Sequence, residues 1–530
     1  MITTTHGWWQ RGVIYQIYPW SFRDENGDGI GDLRGIEARL DYLVWLGIDA
    51  IWISPIYPSP MADFGYDISD YCDVDSRFGT LADFDALLAS AHRLGLKVIL
   101  DYVPNHTSDR HPWFISARSS RDSPHRDYYL WHDPAPTGGP PNNWLSEFGG
   151  PAWELDRGTG QYYYHAYLKQ QPDLNFRNPE VQRELLNVLR FWLDRGVDGF
   201  RIDTIHHLIK DDQFRDNPPN PDYVPGMPPH RRLLRQYTTD RPEVHDAIAA
   251  MRRVVDGYSD RILIGEAYVP LQRLVTYYGT NLSGLHLPFN FQLLSAKWEG
   301  NVIATLVRNY EAALPPGAWP NWVLGNHDRS RIVSRVGLAQ ARVAGLLLLT
   351  LRGTPTLYYG DEIGMRDVAI APEWVRDPFE KNVPGFGRDP ERTPMQWTPG
   401  ANAGFSSGQP WLPIAEDAAT VNVQVERDDP GSLLSLYRSL LSLRRHEEAL
   451  SVGSLTVLDL PPNVFGFERA ANGRRFVVLL NFSAEAQSLR LPEPCPSRVL
   501  LSTSAARQLE ACEPSLTLAA NEGLVLGPAD

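Results

Sequence analysis

A chain of 530 residues is long enough for about three domains, or for one large domain carrying insertions. Hydrophobic residues make up 43% and charged residues 22%, which excludes disorder along the whole length. A net charge of −14 makes nucleic acid and anionic membrane surfaces poor partners.

The first predicted element is a strand at 12–18 (GVIYQIY). An acidic loop follows at 24–32 (DENGDGIGD), whose alternating oxygen-bearing side chains suit a hard cation such as calcium or magnesium in a structural role. Asp24, Asn26 and Asp28 take positions one, three and five of an EF-hand-like loop, Gly29 takes the sixth, and Ile30 offers its carbonyl. The twelfth position is Gly35 instead of Glu, so the loop is not an EF-hand. Strands follow at 48–53 (IDAIWI) and 96–103, with an amphipathic helix at 81–94 between them.

Residues 105–178 are rich in Pro, Gly, Trp and Tyr and lack helical periodicity. The stretch is too long for an ordinary loop and is expected to be an inserted subdomain. The rhythm resumes with a helix at 181–195 and strands at 199–202, 261–265, 322–325 and 354–358. These runs are short and β-branched, as buried parallel strands are. A segment at 212–230 carries six prolines, so it is a surface excursion or a wall over a site. A helix at 432–445 precedes short alternating runs from 451 onward, which predict a small antiparallel β domain.

Strand–helix alternation of this kind favours a (β/α)8 barrel or a doubly wound sheet. Polar residues cluster just after the strands: Asp101, Asn105 and His106; Arg201 and Asp203; Glu266; Asn326, His327 and Asp328. In a barrel these ends converge on one face. Three carboxylates with Arg and two His suit a reaction with separate acid, base and charge-stabilising roles, of which glycoside hydrolysis is the leading example.

DYVPNH (101–106), GFRIDTIHH (199–207), GEAY (265–268) and GNHD (325–328) resemble the four signature regions of the α-amylase family, glycoside hydrolase family 13. QPDLN (171–175), ADFGYDISDY (62–71) and RTPMQW (392–397) resemble segments of its oligo-1,6-glucosidase and α-glucosidase branch. The resemblance implies an α/β fold: a (β/α)8 TIM barrel at 1–104 and 179–450, an inserted subdomain at 105–178 after the third strand, and a C-terminal antiparallel β domain at 451–530. It implies Asp203 as nucleophile, Glu266 as general acid/base and Asp328 as the third carboxylate, in a retaining mechanism. Arg201 is expected to hold Asp203 ionised. His106 and His327 match residues that bind sugar hydroxyls, and Asp63 and Tyr66 match those that hold the non-reducing end. Arg392 is the expected partner of Asp63, with Arg388 as its competitor. Phe148 and Tyr167 are weaker candidates for aromatic walls. Asp32 completes the metal shell of the branch.

The residue after the nucleophile, Thr204, by analogy within the branch favours maltose-type α-1,4 linkages or sucrose over isomaltose. The expected function is exo-acting hydrolysis of short α-glucosides, with transglucosylation. Transglucosidase, trehalose synthase and sucrose isomerase are the alternatives within the family, and a non-catalytic scaffold relative is the alternative outside it. No organic cofactor, nucleic acid or membrane is expected. The first residues do not read as a signal peptide. The longest apolar stretches, such as 345–351, fall short of the roughly 20 residues that span a bilayer. Cys72, Cys495 and Cys512 are too few for a disulfide framework and too dispersed for a zinc cluster, which fits a cytoplasmic protein, although Cys495 and Cys512 could pair.

Overall fold

In the computed structural model, which describes residues 6–491, 496–504, 507 and 510–528, eight strands form one sheet. They are β1 (Ile14–Ile17), β2 (Ala50–Ile53), β3 (Lys97–Tyr102), β4 (Gly199–Ile202), β5 (Ile262–Gly265), β6 (Leu287–Pro288), β7 (Asn321–Val323) and β8 (Thr354–Tyr358). All the pairings are parallel, and the hydrogen-bonded order is β7-β8-β1-β2-β3-β4-β5-β6. Chain order therefore runs round a nearly closed barrel, with its seam between β6 and β7. The buried side chain of Asn321 stitches that seam: Oδ1 accepts from the Asn290 N–H at 2.9 Å, and Nδ2 donates to the Pro288 carbonyl. Seven of the strands fall on the apolar runs read in the sequence. β6, two residues long, is too short to leave a periodic signal.

The outer helices start and stop where their caps dictate. Thr80 and Asp83 form a capping box at the start of Leu81–Arg93. Asn178 caps Pro179–Arg195, which ends at Gly196 in the left-handed region, φ +105°. Ser432 caps Leu433–His446. The helix Ile332–Thr350 has 19 residues and a mean hydropathy of 1.5, so it is longer and more apolar than the sequence runs suggested. It is broken at Gly337, φ +78°, and its second part is buried from Val343 to Thr350. Gly345 lies against Tyr437, where an added Cβ would come within 2.7 Å of the ring. This is the packing of a core helix.

Between β3 and β4, the strands Trp131–His132, Gln161–Tyr164 and Trp153–Asp156 make a small antiparallel sheet. Its own core is Trp144, Ala152, Trp153, Tyr164 and Ala166. It is anchored to the barrel by Asp173, which accepts from Asn105 at 2.9 Å and pairs with buried Lys210. Past the helix Leu433–His446, a five-stranded antiparallel sheet begins at Ser454, and a two-stranded one accompanies it. Cys495 lies outside the described residues, and with it the Cys495–Cys512 pairing.

Candidate active site

The floor of the site is Arg201 on β4, 1% exposed. Its Nη1 donates to Asp101 Oδ1 and to Asp203 Oδ1, both at 2.8 Å, and its Nη2 donates to Glu266 Oε2 at 2.5 Å. Strand alternation puts Arg201 and Asp203 on the same side, and neighbouring β3 and β5 deliver Asp101 and Glu266 to it. The next residue, Thr204, is in the left-handed region at φ +39°, which is strained for a β-branched side chain. That turn aims its N–H at Glu266 Oε2 (3.1 Å) and its hydroxyl at Asp203 Oδ2 (3.1 Å).

A hydrogen-bond chain runs in from β1. Gln16 Nε2 meets His327 Nδ1 at 2.7 Å, which leaves the proton on Nε2, facing the Tyr66 hydroxyl at 2.8 Å. Tyr66 donates onward to Asp101 Oδ2 at 3.0 Å. The His327 and Tyr66 rings stack, 5.5 Å apart and 3° from parallel. Burial drops His327 to about 3 and His106 to about 4, so both imidazoles are neutral at pH 7.

One end of the pocket is closed by ion pairs. Asp63 accepts from Arg388 Nη2 at 2.7 Å and from Gln171 Nε2 at 3.2 Å, and Gln171 also touches His106 Nε2 at 3.1 Å. Asp377, the cap of the helix Pro378–Asn382, holds the Arg388 guanidinium through both carboxylate oxygens at 2.9 and 2.8 Å. The partner of Asp63 is thus Arg388, not Arg392 as expected. Arg392 sits behind the wall, between the Tyr18 and Phe64 rings, and donates to the His327 carbonyl (2.6 Å) and to Asp328 Oδ1 (2.8 Å). Asp328 also accepts from Arg388 at 3.1 Å. Phe148 lies under Arg388, 4.8 Å from ring centroid to guanidinium, and Tyr167 packs edge-on against Phe148.

Burial would raise Asp328, but His327, Arg388, Arg392 and Arg201 hold it far below the carboxylate range. Asp203 goes the other way. Burial pushes it well up, Arg201 pulls it down, and the Glu266 and Asp101 carboxylates push it up again. The pull of Arg201 therefore does not offset the burial of Asp203. Asp101 rises to about 6, again chiefly by burial.

The cavity above these groups has a volume of about 200 Å3. That is below the ~300–1,000 Å3 of ordinary ligand pockets and suits a short ligand better than a polymer. Its lining includes Asp63, Tyr66, His106, Phe148, Tyr167, Asp203, Thr204, Glu266, His327, Asp328 and Arg388. Glu147 from the insert, and Pro228, His230, Arg231 and Arg235 from or just beyond the proline-rich segment, also line it. That segment is therefore a wall of the site. Sequence reasoning missed Gln171 and Asp377 as site residues, although Gln171 stands in a quoted motif. It also passed over Gln16, whose one visible sign is a polar residue inside an apolar strand.

The acidic loop lies away from this pocket. Asp24 accepts from the Gly27 and Gly29 N–H groups at 2.6 and 2.7 Å, and Asp32 accepts from those of Glu25, Asn26 and Gly35. Among the described residues no three His, Cys, Asp or Glu side chains converge as a ready ligand set. Asp24 and Asp32 are nevertheless buried, and no ion pair to either is found among the described residues. Hard oxygen donors buried without a cationic partner fit a hard metal ion.

The family description "Alpha amylase, catalytic domain" matches residues 16–453. The chain belongs to the α-amylase family. It is 45% identical over 503 residues to a probable α-glucosidase of Rhizobium meliloti (strain 1021), covering 92% of this chain and 91% of that one. Among solved structures, the α-glucosyl transfer enzyme XgtA superposes with a TM-score of 0.94 at 42% identity, covering 99% of this chain and all of that one. The trehalulose synthase MutB from Pseudomonas mesoacidophila MX-45 gives 0.91 at 36% identity, over 99% of this chain and all of that one.

Proposed function

We propose that this chain is a retaining, exo-acting α-glucosidase of short α-glucosides, of maltose type, sucrose or both. The observation that carries the reading is the Arg201 guanidinium spanning Asp203 and Glu266 at the floor of a small pocket closed at one end by Asp63 and Arg388. Carboxyls joined through one guanidinium are neighbours, which supports a retaining pair, for which ~5–5.5 Å is required. In this mechanism Glu266 gives its proton to the glycosidic oxygen as Asp203 attacks the anomeric carbon, and a covalent glucosyl-enzyme forms. Glu266, now ionised, takes a proton from the water that releases glucose. Asp328, held ionised by its arginines, faces the positive charge that develops on the ring. Time-resolved product analysis on maltose and on sucrose tests the reading. Glucose released in step with bond cleavage supports hydrolysis, and no cleavage of either sugar refutes the reading.

The transfer and isomerisation reading has its own support in the likeness to XgtA and MutB. It predicts new di- or trisaccharides, with free glucose lagging behind cleavage. The preference for α-1,4 linkages or sucrose rests on Thr204, whose hydroxyl bonds the nucleophile. Thr204→Val is expected to shift the isomaltose-to-maltose ratio of kcat/KM upward by about tenfold, a difference of ~1.4 kcal/mol. An unchanged ratio removes Thr204 from the specificity reading.

Asp24, Asn26, Asp28, the Ile30 carbonyl and Asp32 would hold a structural Ca2+ or Mg2+. The ion would neutralise buried carboxylates and take no part in the chemistry. Chelation is expected to lower Tm, with recovery on adding either ion; a free ion at 100 times its Kd stabilises by ~2.7 kcal/mol. A Tm indifferent to chelator removes the metal. A cytoplasmic location is part of the same proposal, supported by the scarcity of cysteine; cell fractionation tests it.

A further inference from the structure

The closed end of the pocket has every arginine paired; the opposite end does not. Arg231 and Arg329 both line the pocket, and both are exposed. No carboxylate lies within ion-pair distance of either among the described residues. Arg329 instead covers the face of Tyr268 at 5.4 Å. The two cations lie close enough that Arg329 depresses the Arg231 pKa, after burial and Arg235. Arg235 beside them is already satisfied by Glu147 at 2.9 Å. Arg231, Arg235 and Tyr268 also line two further depressions that continue outward from this end. His206, 1% exposed, lines the same pocket with its ring 6.3 Å from that of Tyr268, and neither of its ring nitrogens has a partner in the protein. On a chain of net charge −14, two unpaired guanidiniums at a pocket mouth are a local exception.

Resting on the α-glucosidase reading, we propose that Arg231 and Arg329 form an anion-reading aglycone and acceptor site, with Tyr268 holding the Arg329 guanidinium over its ring. The preferred leaving groups and acceptors carry a carboxylate or phosphate. Guanidinium forks match the planar oxygen pair of a carboxylate, and charge-assisted bonds of this kind are the strong ones.

The test compares 4-carboxyphenyl α-glucoside with its 4-carbamoylphenyl isostere, which differs in charge and barely in shape. The kcat/KM ratio is expected to favour the carboxylate about fivefold to tenfold and to fall with added salt. In the double variant Arg231→Gln, Arg329→Gln the ratio is expected to fall to about one. Because each protein is read as a ratio, a general loss of activity does not mimic the result. The 4-phosphonophenyl glucoside, read against the same isostere, separates carboxylate from phosphate as the favoured anion. Equal rates on the carboxylate, phosphonate and carbamoyl substrates overturn the proposal alone, as does an anion preference that survives the double substitution. Cleavage of none of them while maltose or sucrose is cleaved overturns the proposal alone; cleavage of none of them and of neither sugar overturns the α-glucosidase reading with it.

Discussion

Replacing Asp203 with alanine is expected to lower kcat by at least about ten-thousand-fold on every α-glucoside, whatever its leaving group, because no covalent intermediate can form. Glu266→Gln is expected to behave differently. On maltose, where the leaving oxygen needs a proton, kcat falls by about a hundred- to ten-thousand-fold, the usual worth of a general acid. On α-glucosyl fluoride the leaving group departs without that proton, so the loss in the first step is expected to be under about tenfold. The contrast separates two carboxyls that share one arginine and that charge alone does not distinguish. Equal losses on fluoride and maltose for Glu266→Gln would take the acid role from Glu266. Ordinary turnover of the fluoride by Asp203→Ala would take the nucleophile role from Asp203.

How far the site could be read from sequence depends on what each residue does for its strand. Asp101, Asp203, Glu266 and Asp328 interrupt or follow runs of apolar residues, so each marks a strand end, and the barrel turns that linear mark into convergence. β6 leaves no such mark because it is two residues long, and its seam is closed by the Asn321 side chain where a ladder would otherwise run. Arg388 precedes and Arg392 ends a single 3-10 turn, Asp389–Arg392, and spacing cannot tell which of them reaches the pocket. What decides is Asp377, eleven residues before Arg388, which fixes that guanidinium against Asp63. Such a contact between loops has no periodicity to betray it. The direction of the Asp203 shift was equally out of reach. An Arg two residues away suggests a lowered carboxyl, whereas full burial beside two more carboxylates turns the shift upward.

Arg201→Gln is expected to be the most damaging single substitution outside the acid and nucleophile. The side chain is buried over the Trp52 ring, 5.1 Å from centroid to guanidinium, and is the one cation hydrogen-bonded to Asp101, Asp203 and Glu266 among the described residues. Removing one partner of a buried ion pair costs ~3–5 kcal/mol, because the charge left behind is uncompensated. A marked fall in Tm at pH 7 is therefore expected, and its pH dependence is the sharper test. Asp101 already stands at about 6, raised first by burial, and Asp203 is raised in the same way. A carboxyl whose folded pKa lies above its unfolded value binds the extra proton in the folded state. It thus lowers stability as pH rises through the window from about 4 to that folded pKa. Without Arg201 the folded values climb further, so the stability deficit of the variant is expected to shrink as pH falls from 7 towards 5, where protonation relieves the repulsion. Activity is expected to move the opposite way. With the nucleophile harder to ionise, the acid limb of kcat/KM shifts to higher pH. A Tm deficit that stays constant from pH 7 to pH 5, or an acid limb that does not move, would mean that Arg201 shapes the pocket without setting the charge of its carboxylates.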